Sequence, residues 1–363
     1  MSNIVISGYY GFDNAGDEAM LTAIIKALRS KDGSVNLTVI SGNPEATEKL
    51  HKVSSIHRFS LLNVFNSIRQ ANLLLSGGGS LLQDVTSKRS LLYYLAILSL
   101  GIMLRKKVVL YAQGIGPIKS SFMRKLTKYV CNSVNLITVR DKDSLYELRR
   151  LGVDTSEVHL TADSVMTLAK EKLDFGRELL DRFFIPEDKM LIAVAVRKWR
   201  EDDSYLLEIA KAADRLIDDR NAHIALLPLQ YPDDVETCRR VQQMMVHKLE
   251  CTVLATECIT EQYLSLIGNF DLLIGMRLHA LIFSAVMGVP FVAISYDPKI
   301  DGFVKDVNGI SAGRVNDLEA DNIISCCRKA LFHRNDNKNE MEELRSKAML
   351  NAEKAFELLQ RQR

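Results

Sequence analysis

Short apolar runs separated by amphipathic stretches recur along the whole chain, and this alternation restricts the fold more than any other property of the sequence. Residues 4–7, 37–40, 73–76, 108–112, 136–139 and 158–160 read as strands, with helices such as 17–28 and 144–151 in the gaps. A second series follows at 191–196, 223–229, 251–254, 272–274 and 291–294. Each gap is long enough for a crossover helix, so successive strands run parallel. The expected fold is therefore α/β, with two Rossmann-like, doubly wound parallel-sheet domains facing a cleft. Residues 1–170 form the expected N-terminal domain, 171–189 a charged linker region containing Ile185-Pro186-Glu187-Asp188, and 190–363 the C-terminal domain. The charged amphipathic tail from Asn337 is expected either to end the second domain or to pack back on the first.

Composition excludes several classes. Length and a 47% hydrophobic content give room for two cores. The net charge of +2 supplies no overall field, and no nucleic-acid motif is present, so nucleic acid is not an expected partner. The six cysteines lack C-x-x-C spacing, which leaves no zinc motif and suits reduced thiols in the cytoplasm. No apolar leader opens the chain. Residues 91–104, flanked by Lys88-Arg89 and Arg105-Lys106-Lys107, are too few to span a bilayer. They fit either a buried helix or an interfacial face that docks peripherally on the inner side of the membrane.

Phe270 to Ala280, with Arg277 and His279 just past Gly275, and Ser295-Tyr296-Asp297-Pro298-Lys299 place three basic groups at two neighbouring strand ends. Ligands sit at that edge of a doubly wound sheet, and helix N-termini there favour an anion. Arg277 could instead pair with a buried Asp. The first loop, Tyr9-Tyr10-Gly11-Phe12-Asp13-Asn14-Ala15-Gly16-Asp17-Glu18, stands where a dinucleotide loop would, but its glycines miss that pattern and its carboxylates would repel a pyrophosphate. Asp13 and Asn14 suit sugar hydroxyls, while Asp17 and Glu18 suit the helix start. Gly77, Gly78 and Gly79 would let a ligand approach backbone amides closely. Gln113-Gly114 follows the next strand in the same manner, and Arg140 the one after, either as a ligand cation or paired with Asp141 or Asp143.

Taken in order, these motifs resemble the polysaccharide pyruvyl transferase family. The resemblance rests on residues 8–18, on Ser76-Gly77-Gly78-Gly79-Ser80-Leu81-Leu82-Gln83-Asp84, on Ala112-Gln113-Gly114-Ile115-Gly116-Pro117, on Val139-Arg140-Asp141, and on the Arg277-Leu278-His279 and Tyr296–Lys299 segments. Within the family the likeness is to the CsaB-type branch that pyruvylates the N-acetylmannosamine of secondary cell-wall polymers in surface-layer bacteria. It implies a GT-B-like fold, phosphoenolpyruvate as donor and a lipid-linked sugar as acceptor, with the acceptor on the N-terminal side and the donor on the C-terminal side.

On that resemblance Arg277, Lys299, Arg140 and the glycines Gly77–Gly79 would hold the donor, and Asp13, Asn14, Gln113 and Gly114 the acceptor. His279 would protonate C3 of the donor so that a hydroxyl can attack C2, and Asp13 would orient or deprotonate that hydroxyl. A second hydroxyl would close a 4,6-linked ketal. No metal or cofactor is expected beyond the substrate phosphoenolpyruvate, since the cations supply the charge. The competing expectation is a GT-B-type nucleotide-sugar glycosyltransferase in which Arg277 and Lys299 clamp a diphosphate; Asp297 stands where a ribose-binding Glu would be. No motif specifies an oligomeric state.

Overall fold

The computed structural model describes residues 2–85, 87–333 and 338–361. Thirteen strands are present among them: β1 (Asn3–Ser7), β2 (Asn36–Ser41), β3 (Ser54–His57), β4 (Leu73–Gly77), β5 (Lys107–Gln113), β6 (Leu136–Val139), β7 (Val158–Leu160), β8 (Met190–Ala195), β9 (Ala222–Leu226), β10 (Cys251–Val253), β11 (Leu272–Gly275), β12 (Phe291–Ser295) and β13 (Ile310–Arg314). They form two all-parallel sheets, ordered β3-β2-β1-β4-β5-β6-β7 and β10-β9-β8-β11-β12-β13. Both are doubly wound, and the direction of winding reverses between β1 and β4 in one and between β8 and β11 in the other. Two Rossmann-like units are the result, as the alternation implies.

The sequence pattern passes over two strands, β3 and β13. Both lie on sheet edges, and Ser54-Ser55-Ile56-His57 and Ile310-Ser311-Ala312-Gly313-Arg314 hold too few apolar residues to stand out, because an edge strand is covered on fewer sides. Inner strands show the opposite extreme. Every residue of β4 and β11 is buried, and each enclosed Leu or Ile contributes about 1.5–3 kcal/mol relative to exposure.

The division of the chain differs from the expected one. One unit contains Met1–Leu168 and Glu343–Arg363, the other Ala169–Glu342. Residues expected as linker belong to the second unit, because the helix Asp174–Arg182 is tied down there: the Gly176 amide donates to Ser265 Oγ, and Asn269 Nδ2 donates to the Leu173 carbonyl. The C-terminal helix Lys338–Gln360 returns to the first unit; Asn337, where the tail was expected to begin, lies outside the described residues. Its anchor is Asn351, fully buried, whose Oδ1 accepts from Thr138 Oγ1 and Thr161 Oγ1 at 2.5 and 2.8 Å while Nδ2 donates to the carbonyls of Ala162 and Ala348.

In the first unit the helices Leu61–Gln70, Lys88–Met103, Ser121–Cys131 and Lys142–Leu151 cover one face of the sheet, while Ala15–Lys31 and the C-terminal helix cover the other. This placement decides between the two readings of residues 91–104. Leu91, Leu95 and Leu98 are at most 1% exposed, and a Cβ at Gly101 would meet Leu74 at 2.6 Å, so this face is core and not a bilayer surface. No helix among the described residues is long and apolar enough to cross a membrane. Asn351→Ala should cost about 2–4 kcal/mol in urea unfolding, since four buried hydrogen bonds vanish and the Ala162 carbonyl loses its side-chain donor. A loss below about 0.5 kcal/mol would show that the tail is held by its apolar face alone.

Candidate active site

In a parallel sheet every strand leaves at the same edge, and the point where winding reverses opens a crevice there. In the first unit the loops after β1 and β4 flank this point. Tyr10 bridges them: it is buried, its hydroxyl donates to the Gly77 carbonyl at 2.9 Å, and burial pushes its phenol well above the usual range. A Cβ on Gly8 or Gly77 would strike the Tyr10 ring or hydroxyl at 2.3 and 2.6 Å, so both glycines make room for this strut. Gly8 and Tyr10 thus serve to hold the two loops together.

Glu18 locks the same loop, accepting from the Gly11 amide at 2.8 Å through Oε1 and contacting His51 Nε2 at 2.9 Å through Oε2. Asn14 caps the helix Ala15–Lys31, its Oδ1 accepting from the amides of Gly16 and Asp17. Asp13 is different. It is exposed and held at φ 54°, a left-handed conformation that a non-glycine residue adopts at a cost and that tends to persist at functional positions.

The other predicted contacts of this unit turn inward. Gly78 and Gly79 have φ of 50° and 72°, but the Gly78 amide, expected to face a ligand, donates to the Tyr111 carbonyl, and the Gly79 carbonyl accepts from Gln113 Nε2 and the Gly114 amide, each at 2.8 Å. Gln113, expected on the acceptor, is fully buried, and its Oε1 accepts from Ser76 Oγ. Gly114 leaves space for Ser80 and Arg140, which a Cβ would meet at 2.6 and 3.2 Å. Arg140, expected on the donor, is buried and committed to Asp163 at 2.8 Å, Asp141 at 3.4 Å and Ser80 Oγ at 3.1 Å. Burial alone would lower its pKa, but the two carboxylates outweigh it and keep the guanidinium charged. The pairing alternative is realised, with Asp163 in place of Asp143.

In the second unit β8, β11 and β12 are neighbours, and the register Ala195–Gly275–Ala293 aligns their carboxyl ends. Arg197 and Arg277 each stand two residues past their strand, on either side of the reversal point. Arg277 begins the helix Leu278–Met287, whose first turn carries His279, 6.4 Å from the Phe283 ring. The alternative of a buried Asp partner is realised here as well: Asp234 accepts from Arg277 Nη2, and Gln230 Oε1 lies 3.2 Å from the same nitrogen. Arg277 Nε is nevertheless buried without a hydrogen-bond partner among the described residues. Lys299 is half-buried in the first turn of the helix Pro298–Asp306, which Asp297 caps.

Arg197 is the residue that the sequence reading missed. Its Nη1 donates to Tyr296 Oη at 2.8 Å, its guanidinium lies 4.9 Å from the centre of that ring, and its Nε is buried and unpartnered among the described residues. Trp199, whose ring centroid is 4.9 Å from that of Tyr296, has a buried, unpartnered indole N–H as well. The signal was available: Val196-Arg197 follows one buried run just as Met276-Arg277 follows the run of the adjacent strand. Buried donors without partners are rare, and several at one sheet edge suit an anionic or carbonyl ligand.

A model of the polysaccharide pyruvyl transferase family matches residues 14–298. The chain belongs to this family. Among curated relatives, the amylovoran biosynthesis protein AmsJ of Erwinia amylovora is 24% identical over 256 residues, 67% of this chain and 61% of that protein, so the match spans less than two thirds of the relative. Solved structures share the fold at low identity. UDP-GlcNAc 2-epimerase from Methanocaldococcus jannaschii superposes with a TM-score of 0.68 at 12% identity over 98% of this chain and 100% of its own. The Neisseria meningitidis UDP-GlcNAc 2-epimerase gives 0.66 at 11% over 99% of both chains, and Anabaena HepE, solved with UDP-glucose, 0.62 at 12% over 98% and 97%. These likenesses place the family member in the GT-B type of fold with two Rossmann-like units.

Inorganic phosphate should raise the melting temperature of the protein, and Arg197→Gln should remove about 1.5–3 kcal/mol of that protection, the worth of one charge-assisted hydrogen bond. Equal protection of the variant would place the anion away from β8.

Proposed function

We propose that the protein transfers the pyruvyl group of phosphoenolpyruvate to two hydroxyls of one sugar, forming a cyclic ketal and releasing phosphate. The observation that carries this reading is the alignment of Arg197, Arg277 and the helix starts bearing His279 and Lys299 at the ends of three adjacent strands. A small donor with a phosphate and a carboxylate matches two guanidinium groups and a Lys, because planar guanidinium binds either anion through two parallel N–H bonds. Asp234 holds Arg277 in place through Nη2 while Nε remains for the substrate.

His279 supplies the proton to C3, which makes C2 electrophilic; one sugar hydroxyl adds to C2 and gives up its proton. The C2–O bond to phosphate then breaks, and the second hydroxyl closes the ring as its proton leaves with phosphate. The two hydroxyl protons thus balance the C–H bond formed and the proton carried off. Asp13 of the first unit is assigned to the acceptor, being the exposed carboxylate of its loop; Asn14, Gln113, Gly114, Arg140 and the glycine run shape the backbone around it. The finer reading takes the acceptor to be N-acetylmannosamine of a lipid-linked cell-wall precursor, joined through its 4- and 6-hydroxyls, with the enzyme working at the cytoplasmic side of the membrane. This acceptor comes from the motif resemblance alone.

The deciding experiment is phosphate release from phosphoenolpyruvate with a panel of acceptor sugars, using UDP-sugars as control donors. Turnover of a UDP-sugar without phosphoenolpyruvate would replace this reading with the nucleotide-sugar one. His279→Ala should lower kcat roughly a hundredfold or more with the donor still bound, whereas Lys299→Ala should chiefly raise donor KM and Arg277→Ala raise it further. Near-normal turnover by His279→Ala would move the proton donor to another residue.

A further inference from the structure

The net charge of +2 conceals a strongly uneven distribution. Between residues 49 and 140 there are fourteen Lys and Arg but a single acidic residue, Asp84, and that one is buried, accepting from the amides of Lys119 and Ser120. The stretch supplies the loops and three of the helices on one face of the first sheet. On it lies an exposed apolar cluster: Phe59, Leu61 and Leu62 are 67%, 77% and 78% exposed, and Phe65 and Leu92 are exposed as well.

The cluster has a fixed place. Phe59 packs edge-on against Tyr93 of the neighbouring helix, with centroids 6.2 Å apart, so the start of the helix Leu61–Gln70 sits beside the start of Lys88–Met103, where Lys88 and Arg89 are exposed. Arg58 lies between, 5.1 Å from the Phe59 ring centre, 4.4 Å from Tyr93 and 5.3 Å from Phe12. Phe12 stacks on Tyr9 at 4.3 Å, in the loop that carries Asp13. A continuous row of aromatic rings and one guanidinium thus joins the exposed leucines to the candidate acceptor loop.

We propose that this surface docks on an anionic lipid bilayer, with Phe59, Leu61, Leu62 and Phe65 entering the headgroup boundary and Arg58, Arg69, Lys88 and Arg89 meeting lipid phosphates. Charge complementarity selects the occupant. The exposed charges that residues 49–140 contribute are all positive and are attracted to acidic headgroups, and aliphatic side chains beside them gain by immersion in the acyl region. Nucleic acid would match the charge but would leave Leu61 and Leu62 in water; a second copy of the chain would set like charges against each other. Docking here points the acceptor loop toward substrates carried on a lipid, a consequence independent of which group is transferred.

The test is flotation of the full chain with vesicles of phosphatidylcholine containing 30% phosphatidylglycerol, against pure phosphatidylcholine, at low and high salt. The wild type should float with the anionic vesicles and be released by salt. Leu61→Ser with Leu62→Ser should reduce association at least tenfold, as should Lys88→Glu with Arg89→Glu, with melting temperature and turnover of a soluble acceptor unchanged. Three results would overturn the proposal: no binding of the wild type to anionic vesicles, equal binding by the leucine double variant, or a dimer of the wild type that this variant converts to monomer. Binding to a polyanion such as tRNA that the leucine substitutions leave untouched, without vesicle binding, would assign the surface to nucleic acid. Loss of phosphate release from phosphoenolpyruvate in the wild type would instead count against the proposed reaction and not against docking.

Discussion

A strand buried on both faces can satisfy its backbone only by pairing on both sides, and when each is followed by a crossover helix all the strands leave the sheet at one edge. Nearly everything about the candidate site follows from this constraint. It places the ends of β8, β11 and β12 in line, fixes the helix starts that carry His279 and Lys299 beside them, and gathers the loops after β1, β4, β5 and β6 in the other unit. The residues past each strand end are freed from the sheet's alternation, and that is where the two units part company. In the first unit those residues bind one another, through Tyr10, Gln113 and Arg140. In the second, buried N–H groups of Arg197, Trp199 and Arg277 remain without partners among the described residues.

The two buried arginine pairs show how a charge can serve either purpose. Arg140 is surrounded by Asp163, Asp141 and Ser80, so its desolvation is offset from several directions and little capacity remains for a ligand. Arg277 meets a single carboxylate on Nη2, with Asp234 itself held by the Gln230 amide. That pair fixes the side chain, while Nε is left without a hydrogen-bond partner among the described residues. Arg197 is braced differently, by the hydroxyl and the ring face of Tyr296.

The layout of both sheets was legible because apolar runs and crossover lengths are local properties. The edge strands β3 and β13 were not, since few apolar residues mark them, nor was the return of the C-terminal helix, which depends on Asn351 meeting two threonines far away in the sequence. Arg277, His279 and Lys299 stand just past two neighbouring strand ends, a placement that counting from the apolar runs already implies. Gln113, Gly114, Arg140 and the glycine run do lie at strand ends, but their inward direction depends on tertiary partners such as Tyr111 and Asp163 that no spacing reveals. Arg197 carries no histidine or glycine motif beside it, although its register with Arg277 is readable by counting from two buried runs.

Global charge was the least informative number in the sequence, and the reason is physical. Screening confines the field of an exposed charge to about 10 Å in ordinary salt, so a surface responds to the residues it carries and not to their sum over the molecule. A stretch with fourteen cations and one buried anion behaves as a basic surface even though acidic residues elsewhere nearly cancel it. Exposed leucines beside Arg58, Lys88 and Arg89 are then hard to explain as ordinary surface, since immersion in water disfavours them and the charge around them is basic. An anionic, partly apolar medium answers both mismatches together, and it sets the loop bearing Asp13 at the boundary from which a lipid-borne substrate would arrive.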